Sequence, residues 1–549
     1  MDNTDYYEQT APPVRDHRLN AGDSFAASRC GALLAGAREG LLPRTCRDFW
    51  QGNACQMSLS LLMAATVENA AIVLHGPVGC GSTLHNLGPA VRKGKAARGL
   101  APTPANWLST NLLESDIIGG GERKLTEAIL HADRTFNPEI IFVVSTCAPS
   151  VIGDDTDEIV QRVNAQTKAS VVLLDCPGFK SRVVASAYDA FYHGLIRFLP
   201  LDPPPADDRR AEGPQANKII QAAKGPKVSK VTKGSRKSVR PSALNNANND
   251  VPNNDATNNE APNNESDDKA RTINVFNATS IGPADEVETE RLLAAMGFKT
   301  RVYAEYSNAE KFRYLTQAVL NVSLCDVHDD YMFCYLKAKR GMPYVMGGMP
   351  MGLGGTRRWL GLIGEALGLA KEAANLADAE EERLRPFLSP ILPALKGKRV
   401  LAIGGVSRVM AVSVTLKELG LTPVGFHAYH YDDSATPFLE VTERELPDLP
   451  AVVSSQDYEL FGAVKKYGPD LVISHAGTQG LMAKMGVPAM QLFDVDRPHF
   501  GYRGLYAFAK RMAFAFENTS YQKRLASKVR FPYKGDWFKG DPYGHIKTT

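Results

Sequence analysis

The sequence predicts an α/β protein made of several doubly wound parallel-sheet domains, and three observations carry the prediction. Short β-branched runs recur along the chain: NAAIVLHG, EIIFVVSTC, ASVVLLDC, TINVFNAT, KRVLAIGG and DLVISHAG. They end at or beside Gly, Cys, Ser or His, and amphipathic segments such as GDDTDEIVQRVNAQ and SRVMAVSVTLKELG follow them, which is the strand–helix alternation of doubly wound sheets. Finally, 549 residues at 44% hydrophobic and 22% charged are enough for about three compact domains.

In chain order, residues 1–50 read as an N-terminal extension and 51–204 as a first α/β domain. Residues 205–271 change character abruptly, from DPPPADDRRAEG through eight Lys or Arg between Lys218 and Arg240 to a tract with ten Asn between Ala243 and Ala270. Such a stretch cannot bury enough apolar surface to offset the entropy of ordering, so it reads as a disordered insertion, its basic part a solvated linker rather than a polyanion grip. Residues 272–395 read as a second α/β domain, 396–495 as a third, and 496–549 as a helical or extended C-terminal segment.

The net charge of +3 gives no electrostatic reason to expect nucleic acid. No run approaches the roughly 20 apolar residues that span a bilayer. The start, MDNTDYYEQTAPPVRDH, lacks the apolar core of a secretion signal, so a cytoplasmic location is expected. Eight cysteines, at 30, 46, 55, 80, 147, 176, 325 and 334, are too sparse for a disulfide scaffold and in a reducing compartment stay free or bind metal.

In doubly wound sheets ligands sit at the carboxyl ends of strands. Cys80, Cys147 and Cys325 fall at or near such ends, and Cys55 joins them from a loop before the first helix. An iron–sulfur cluster needs soft thiolates converging from several loops, each beside a glycine or amide that lets the chain approach the sulfides. Cys80 has Gly on both sides in HGPVGCGST, and Cys147, in VVSTCAPSVIGDD, sits where a strand turns into a helix N-terminus, which favours a thiolate. Spacing alone leaves open the other reading, buried apolar cysteines of the usual intracellular kind.

HGPVGC followed at the next suitable strand end by C-x-P-x-x-I-G-D-D resembles the signature of α-type subunits of the nitrogenase component 1 superfamily. The resemblance runs from about Cys46 to Leu525 and includes TNLLESDIIGGGERKLTEAI, DCPGF, KRVLAIGG, HYDD, KMGVP and FGYRG in order. It implies Rossmann-like domains and half of an interface cluster, either a P-cluster-like eight-iron, seven-sulfur centre or a four-iron, four-sulfur one, on Cys55, Cys80 and Cys147. Cys46 is near enough to Cys55 to substitute for it. A second, larger iron–sulfur cofactor is implied at Cys325, eighteen residues before Pro343 in SLCDVHDDYMFCYLKAKRGMPYV, whereas Cys334 reads as core. Arg408 in GGVSR stands near the place of the family's cofactor-clamping arginines.

The pattern also breaks. Where the family's cofactor-anchoring histidine is expected, AMQLFDVDRPHFGYRG has Gln491; His499 lies eight residues later, and His427 and His430 in GFHAYHYDD are further imidazoles near a strand end, each more commonly structural than ligating. After DCPGF, Val184 and Tyr188 replace the Gln and His used on dinitrogen, and a phenol that titrates near pH 10 delivers protons differently. Dinitrogen reduction is therefore not expected, and Tyr188 and His499 are the proton donors to test.

The chain has no G-x-x-x-x-G-K-[ST] motif, so ATP must be hydrolysed elsewhere. The resemblance implies an ATP-dependent homodimeric H-type reductase with a four-iron cluster, and a homologous β-type (K) subunit completing an α₂β₂ core. The altered pocket looks most similar to the nitrogenase-like methylthio-alkane reductases, which cleave C–S bonds of small organic thioethers to methanethiol and hydrocarbons. Alternatives are a NifE-like scaffold on which a cofactor matures and a tetrapyrrole reductase subunit.

Overall fold

The computed structural model describes residues 4–18, 26–42, 55–203, 265–276, 282–454, 456–474, 478–492, 497–529 and 534–544. Its strands, in chain order, are β1 (Ala26–Arg29), β2 (Ala70–His75), β3 (Asn106–Ser109), β4 (Ile140–Ser145), β5 (Ser170–Asp175), β6 (Thr272–Phe276), β7 (Lys299–Tyr303), β8 (Leu320–Ser323), β9 (Tyr344–Val345), β10 (Arg399–Gly404), β11 (Thr422–Ala428), β12 (Pro450–Val453), β13 (Leu471–Ser474) and β14 (Ala489–Gln491). They form three sheets, ordered β3-β2-β4-β5, β7-β6-β8-β9 and β1-β12-β11-β10-β13-β14. Every pairing is parallel except that of β1 with β12. The α/β, doubly wound class expected from the β-branched runs is the observed one.

The first sheet shows why those runs are apolar throughout. Side chains alternate between faces at each residue. Ile72, Leu74, Phe142, Val144, Val172 and Leu174 pack with residues of helices Gln56–Thr66 and Ser186–Phe198, while Ala71, Val73, Ile141, Val143, Val171 and Leu173 pack with Leu125, Ile129, Ile159 and Val163 from helices Glu122–Phe136 and Thr156–Asn164. Both faces are covered, so no position in the strand can be polar without a partner.

Two segments differ from the sequence reading. Residues 26–39 do not trail off as an extension: β1 pairs antiparallel with β12, and helix Cys30–Glu39 buries Cys30, Leu33 and Leu34 in the core of the third sheet. The 205–271 insertion lies outside the described residues as far as 264, but its last residues form helix Glu265–Ala270, where Asp268 pairs with Lys299 and Arg301. Cys46 also lies outside the described residues. No helix among those described is long and apolar enough to cross a membrane.

Residues 4–18 form a strap across all three sheets' domains. The Tyr7 ring meets those of Tyr331 and Tyr335, Gln9 O bonds the His193 ring, and Asp16 accepts from the backbone of Arg182 and Val183. Arg15, fully buried, bonds Asp189 at 3.0 Å, Asp330 at 2.7 Å and Asp432 at 2.9 Å, one carboxylate from each domain.

Candidate functional site

The loops that carry the first three cysteines are fixed by a small network at the ends of β2 and β4. His75, the last residue of β2, meets the Asp154 carboxylate at 3.2 Å through Nε2 and Thr110 Oγ1 at 3.2 Å through Nδ1. Asp154 also accepts from the Gly121 backbone N–H at 3.0 Å. Thr146 Oγ1 donates to the His75 carbonyl, joining the two strand ends. Gly76 holds φ +152°, and a Cβ there would stand 1.9 Å from Thr146 Oγ1, so only glycine serves. These bonds account for H-G-P and I-G-D-D recurring together in one chain.

On that frame Cys55 caps helix Gln56–Thr66, Cys80 lies in the 3₁₀ turn Val78–Gly81, and Cys147 opens helix Cys147–Ile152. A Cβ at Gly178 would stand 3.1 Å from Cys55 Sγ and 3.5 Å from Cys147 Sγ, so the bare glycine leaves a cradle under two thiols. Burial, and then the neighbouring Cys147 and Cys55, push the Cys80 thiol up. A metal centre that binds Cys80 must therefore displace its proton. Among the described residues no three His, Cys, Asp or Glu are placed to hold a single ion. A cluster asks for less, since its thiolates bond different irons.

Cys176, to which sequence reading gave no role, is fully buried beside this group and is pushed up by burial first and by Asp175, Cys55 and Cys147 after it. Around the thiols the surface is apolar and open. Cys147 is exposed, and so are Val78, Leu113, Val151 (71%), Phe179 and Ile118 (90%). Replacing Gly178 by Ala is expected to cost about 1–3 kcal/mol of stability by overpacking and to remove most of the iron bound at the three thiols, measured by iron analysis of the purified protein.

Cys325 caps helix Asp326–Arg340 at the end of β8 and is 3% exposed. Burial pushes its thiol up to about 12, against the pull of the Arg408 guanidinium nearby. Arg408 sits in the first turn of helix Val406–Glu418, at the carboxyl end of β10. With Ser474 and Leu492 it lines a narrow cleft with a free volume of about 10 Å³, room for little more than one water. The Ser474 hydroxyl is buried there without a hydrogen-bond partner among the described residues, and so is that of Ser407, which precedes Arg408 in the chain. A cation and two idle donors suit an anionic group. Asp326, next to Cys325, is pushed up to about 7 by burial.

The structure brings the remaining candidates to this site unequally. His499 is fully buried; its Nδ1 bonds the Arg497 carbonyl at 3.0 Å and faces Asp285 at 3.2 Å, which leaves Nε2 as the lone-pair nitrogen. Burial first, then Arg511 and Arg408, hold this imidazole below its ordinary range and so neutral. Gln491, half-buried, pairs with Ser474 in register at the end of β14. Tyr188 is 2% exposed and stacks on His328 with ring centres 4.1 Å apart and planes 9° from parallel. His328 follows Cys325 by one helical turn and was missed by sequence reading; the i, i+3 spacing from the cysteine was the available signal.

His430 and His427 are placed elsewhere. His430 is half-buried near Asp432, Arg15 and Asp16, on the strap side, and partial removal from water holds its imidazole low. His427 Nε2 meets the Tyr543 hydroxyl at 3.0 Å.

Residues 55–517 match the family model described as nitrogenase component 1 type oxidoreductase. Among relatives, the chain is 32% identical over 128 residues to the nitrogenase iron-molybdenum cofactor biosynthesis protein NifE of Methanococcus maripaludis, covering 23% of this chain and 25% of that protein. It is 31% identical to the NifE of Clostridium pasteurianum over 27% of this chain and 30% of that one. These matches thus span about a quarter to a third of the relatives' length. The nitrogenase molybdenum-iron protein alpha chain of Methanothermococcus thermolithotrophicus is 23% identical over 86% of this chain and 88% of its own. Nitrogenase Cp1, solved at pH 5, superposes with a TM-score of 0.64 at 19% identity over 89% of this chain and 91% of that one, a likeness of fold.

Proposed function

This chain belongs to the family of nitrogenase component 1 type oxidoreductases, and from that premise we propose that it is the α-type subunit of a nitrogenase-like reductase of small organic thioethers. The observation that carries the reading is the presence in one chain of an open three-thiol face and a second, buried thiol beside a cation at Arg408. Cys55, Cys80 and Cys147 would hold half of an interface cluster, P-cluster-like or four-iron, and a homologous β-type subunit in an α₂β₂ complex would supply the other half and cover the apolar rim. Cys325 would hold the larger iron–sulfur cofactor, with Arg408, Ser407 and Ser474 balancing its charge and His499 Nε2 or Gln491 as a further anchor.

Such a cofactor, when bound, would supply electrons for CH₃–S–CH₃ + 2e⁻ + 2H⁺ → CH₄ + CH₃SH, or for HOCH₂CH₂–S–CH₃ + 2e⁻ + 2H⁺ → C₂H₄ + CH₃SH + H₂O. The chain's residues position and protonate. Tyr188, held against His328, would present its hydroxyl as one proton donor, and the Asp326 carboxyl, pushed up to about 7, is a second place for a proton. The fully buried walls exclude water from the reacting bond. Electrons would come from an ATP-dependent H-type reductase docking outside the three-thiol face.

One observation favours a second reading: the higher local identity to NifE supports a scaffold on which a cofactor matures. The test is anaerobic purification with the co-purifying partner, iron counting, and addition of the cognate reductase, ATP and dimethyl sulfide or 2-(methylthio)ethanol while headspace methanethiol and hydrocarbon are followed. ATP-dependent methanethiol supports the reductase. Iron without turnover, passed on to an apo-protein, supports the scaffold and sinks the first reading.

A further inference from the structure

The loop that carries Cys325 is closed by a carboxyl group to which the proposed reaction gives no part. Asp329 stands in the first turn of helix Asp326–Arg340 and is fully buried. Its Oδ2 accepts from the Ser323 hydroxyl at 2.6 Å, and Ser323, the last residue of β8, accepts in turn from the Cys325 backbone N–H at 3.0 Å. Its Oδ1 accepts from the Tyr192 hydroxyl at 2.8 Å. Tyr192 and Ser323 are fully buried as well, and no Lys, Arg or His pairs with Asp329 among the described residues.

An acidic residue in a first helical turn is often explained by the helix dipole, which a negative charge stabilises. That accounts for the sequence position but not for the partners, since both oxygens bond hydroxyls of other elements. Stability does not account for them either. Taking a carboxyl out of water without a cation costs free energy, whereas replacing both partners of a buried hydrogen bond by apolar groups of the same shape is close to neutral. What the carboxyl does provide is geometry. Its bond to Ser323 spans Cys325, so the thiol stands inside a closed loop. Its bond to Tyr192 fixes that loop to helix Ser186–Phe198, where Tyr188 lies one turn before Tyr192 with ring centres 6.3 Å apart.

We infer that Asp329 is a positioning residue for the second site, holding Cys325 and Tyr188 in fixed relation through Ser323 and Tyr192. The inference rests on the reading of Cys325 as a ligand of an iron–sulfur cofactor, and it assigns Asp329 no contact with that group. Losing an outer partner of a metal ligand costs about 10–100-fold in metal affinity or activity, and Asp329 stands in that place behind the Cys325 loop.

The experiment compares the parent with Y192F/D329L and with D329N, each purified anaerobically with its co-purifying partner. Iron per chain is counted and electron paramagnetic resonance is recorded on the reduced protein; the signal that Cys325→Ala lacks is that of the second centre. In Y192F/D329L both partners of the Tyr192–Asp329 bond become apolar, so the melting point is expected to stay near the parent's. Its second-centre signal is expected to fall about tenfold or more, while the signal of the iron at Cys55, Cys80 and Cys147 is unchanged. D329N is expected to keep the parent's spectrum, because its amide oxygen accepts from Tyr192 and its N–H donates to Ser323 Oγ. A second-centre signal in Y192F/D329L equal to the parent's overturns the inference. So does loss of both signals with a much lower melting point, which would show that Asp329 serves the fold as a whole, and so does a D329N spectrum as depleted as that of the leucine variant. A parent that loses no signal in Cys325→Ala overturns the reading of Cys325 and this inference with it.

Discussion

Replacing Cys325 with Ala is expected to strip the chain of its second iron centre and of thioether turnover together, while the iron at Cys55, Cys80 and Cys147 stays. Cys325 is the only thiol called for at that site, on a helix cap whose backbone N–H is already bonded to Ser323 Oγ at 3.0 Å. Loss of the sulfur therefore leaves no substitute ligand on the same loop. The fall in rate should exceed the roughly 10–100-fold cost of losing an outer partner of a metal ligand. Iron analysis and methanethiol release measure the two losses. If instead every iron is retained, the pocket holds something other than a cluster, and the tetrapyrrole-reductase alternative gains. If Cys325 is a core residue alone, the change removes one small buried group and costs on the order of 1 kcal/mol.

The second large effect is on stability. Arg15→Met should destabilise the protein by about 3–5 kcal/mol, the cost of breaking a buried ion network from one side, because Asp189, Asp330 and Asp432 would be left buried without their shared cation. Denaturant unfolding followed by circular dichroism measures it. Adding Asp330→Asn and Asp432→Asn to Arg15→Met should restore much of the loss, since the uncompensated charges go with the arginine. A loss below about 1 kcal/mol, the range of an exposed pair, would mean that water reaches the network.

Residues 4–18 show where the sequence was silent. Arg15 sits in a polar stretch with no periodicity, and its burial depends on carboxylates 174, 315 and 417 residues away, which no local pattern encodes. β1 was hidden for the same reason: AASR is too short and too polar to read as a strand, and only β12 makes it one. By contrast the long apolar runs at β2, β4, β5 and β10 were legible because both of their faces are covered and every residue had to be apolar.

The candidate site divides similarly. The three cysteines were readable because glycine and proline around them are demanded by close approaches, such as Gly76 against Thr146 and Gly178 under Cys55 and Cys147. The second pocket was only partly readable. Arg408 and Cys325 come together through the packing of two sheets, and the Tyr188–His328 stack joins residues 140 positions apart in different domains. His430 was singled out by its place beside a strand end, which fixed the depth of its ring but not the side of the sheet it serves.

The antiparallel pairing of β1 with β12 bears on how the chain is made. During synthesis residues 26–29 leave the ribosome long before residues 450–453, and at about 5–20 residues per second they wait on the order of tens of seconds for the strand they complete. The third sheet's edge therefore closes only after β12 has been made. A polypeptide that stops short of β12 carries an orphaned β1 and helix Cys30–Glu39 with Leu33 and Leu34 uncovered, a state suited to chaperone capture or degradation.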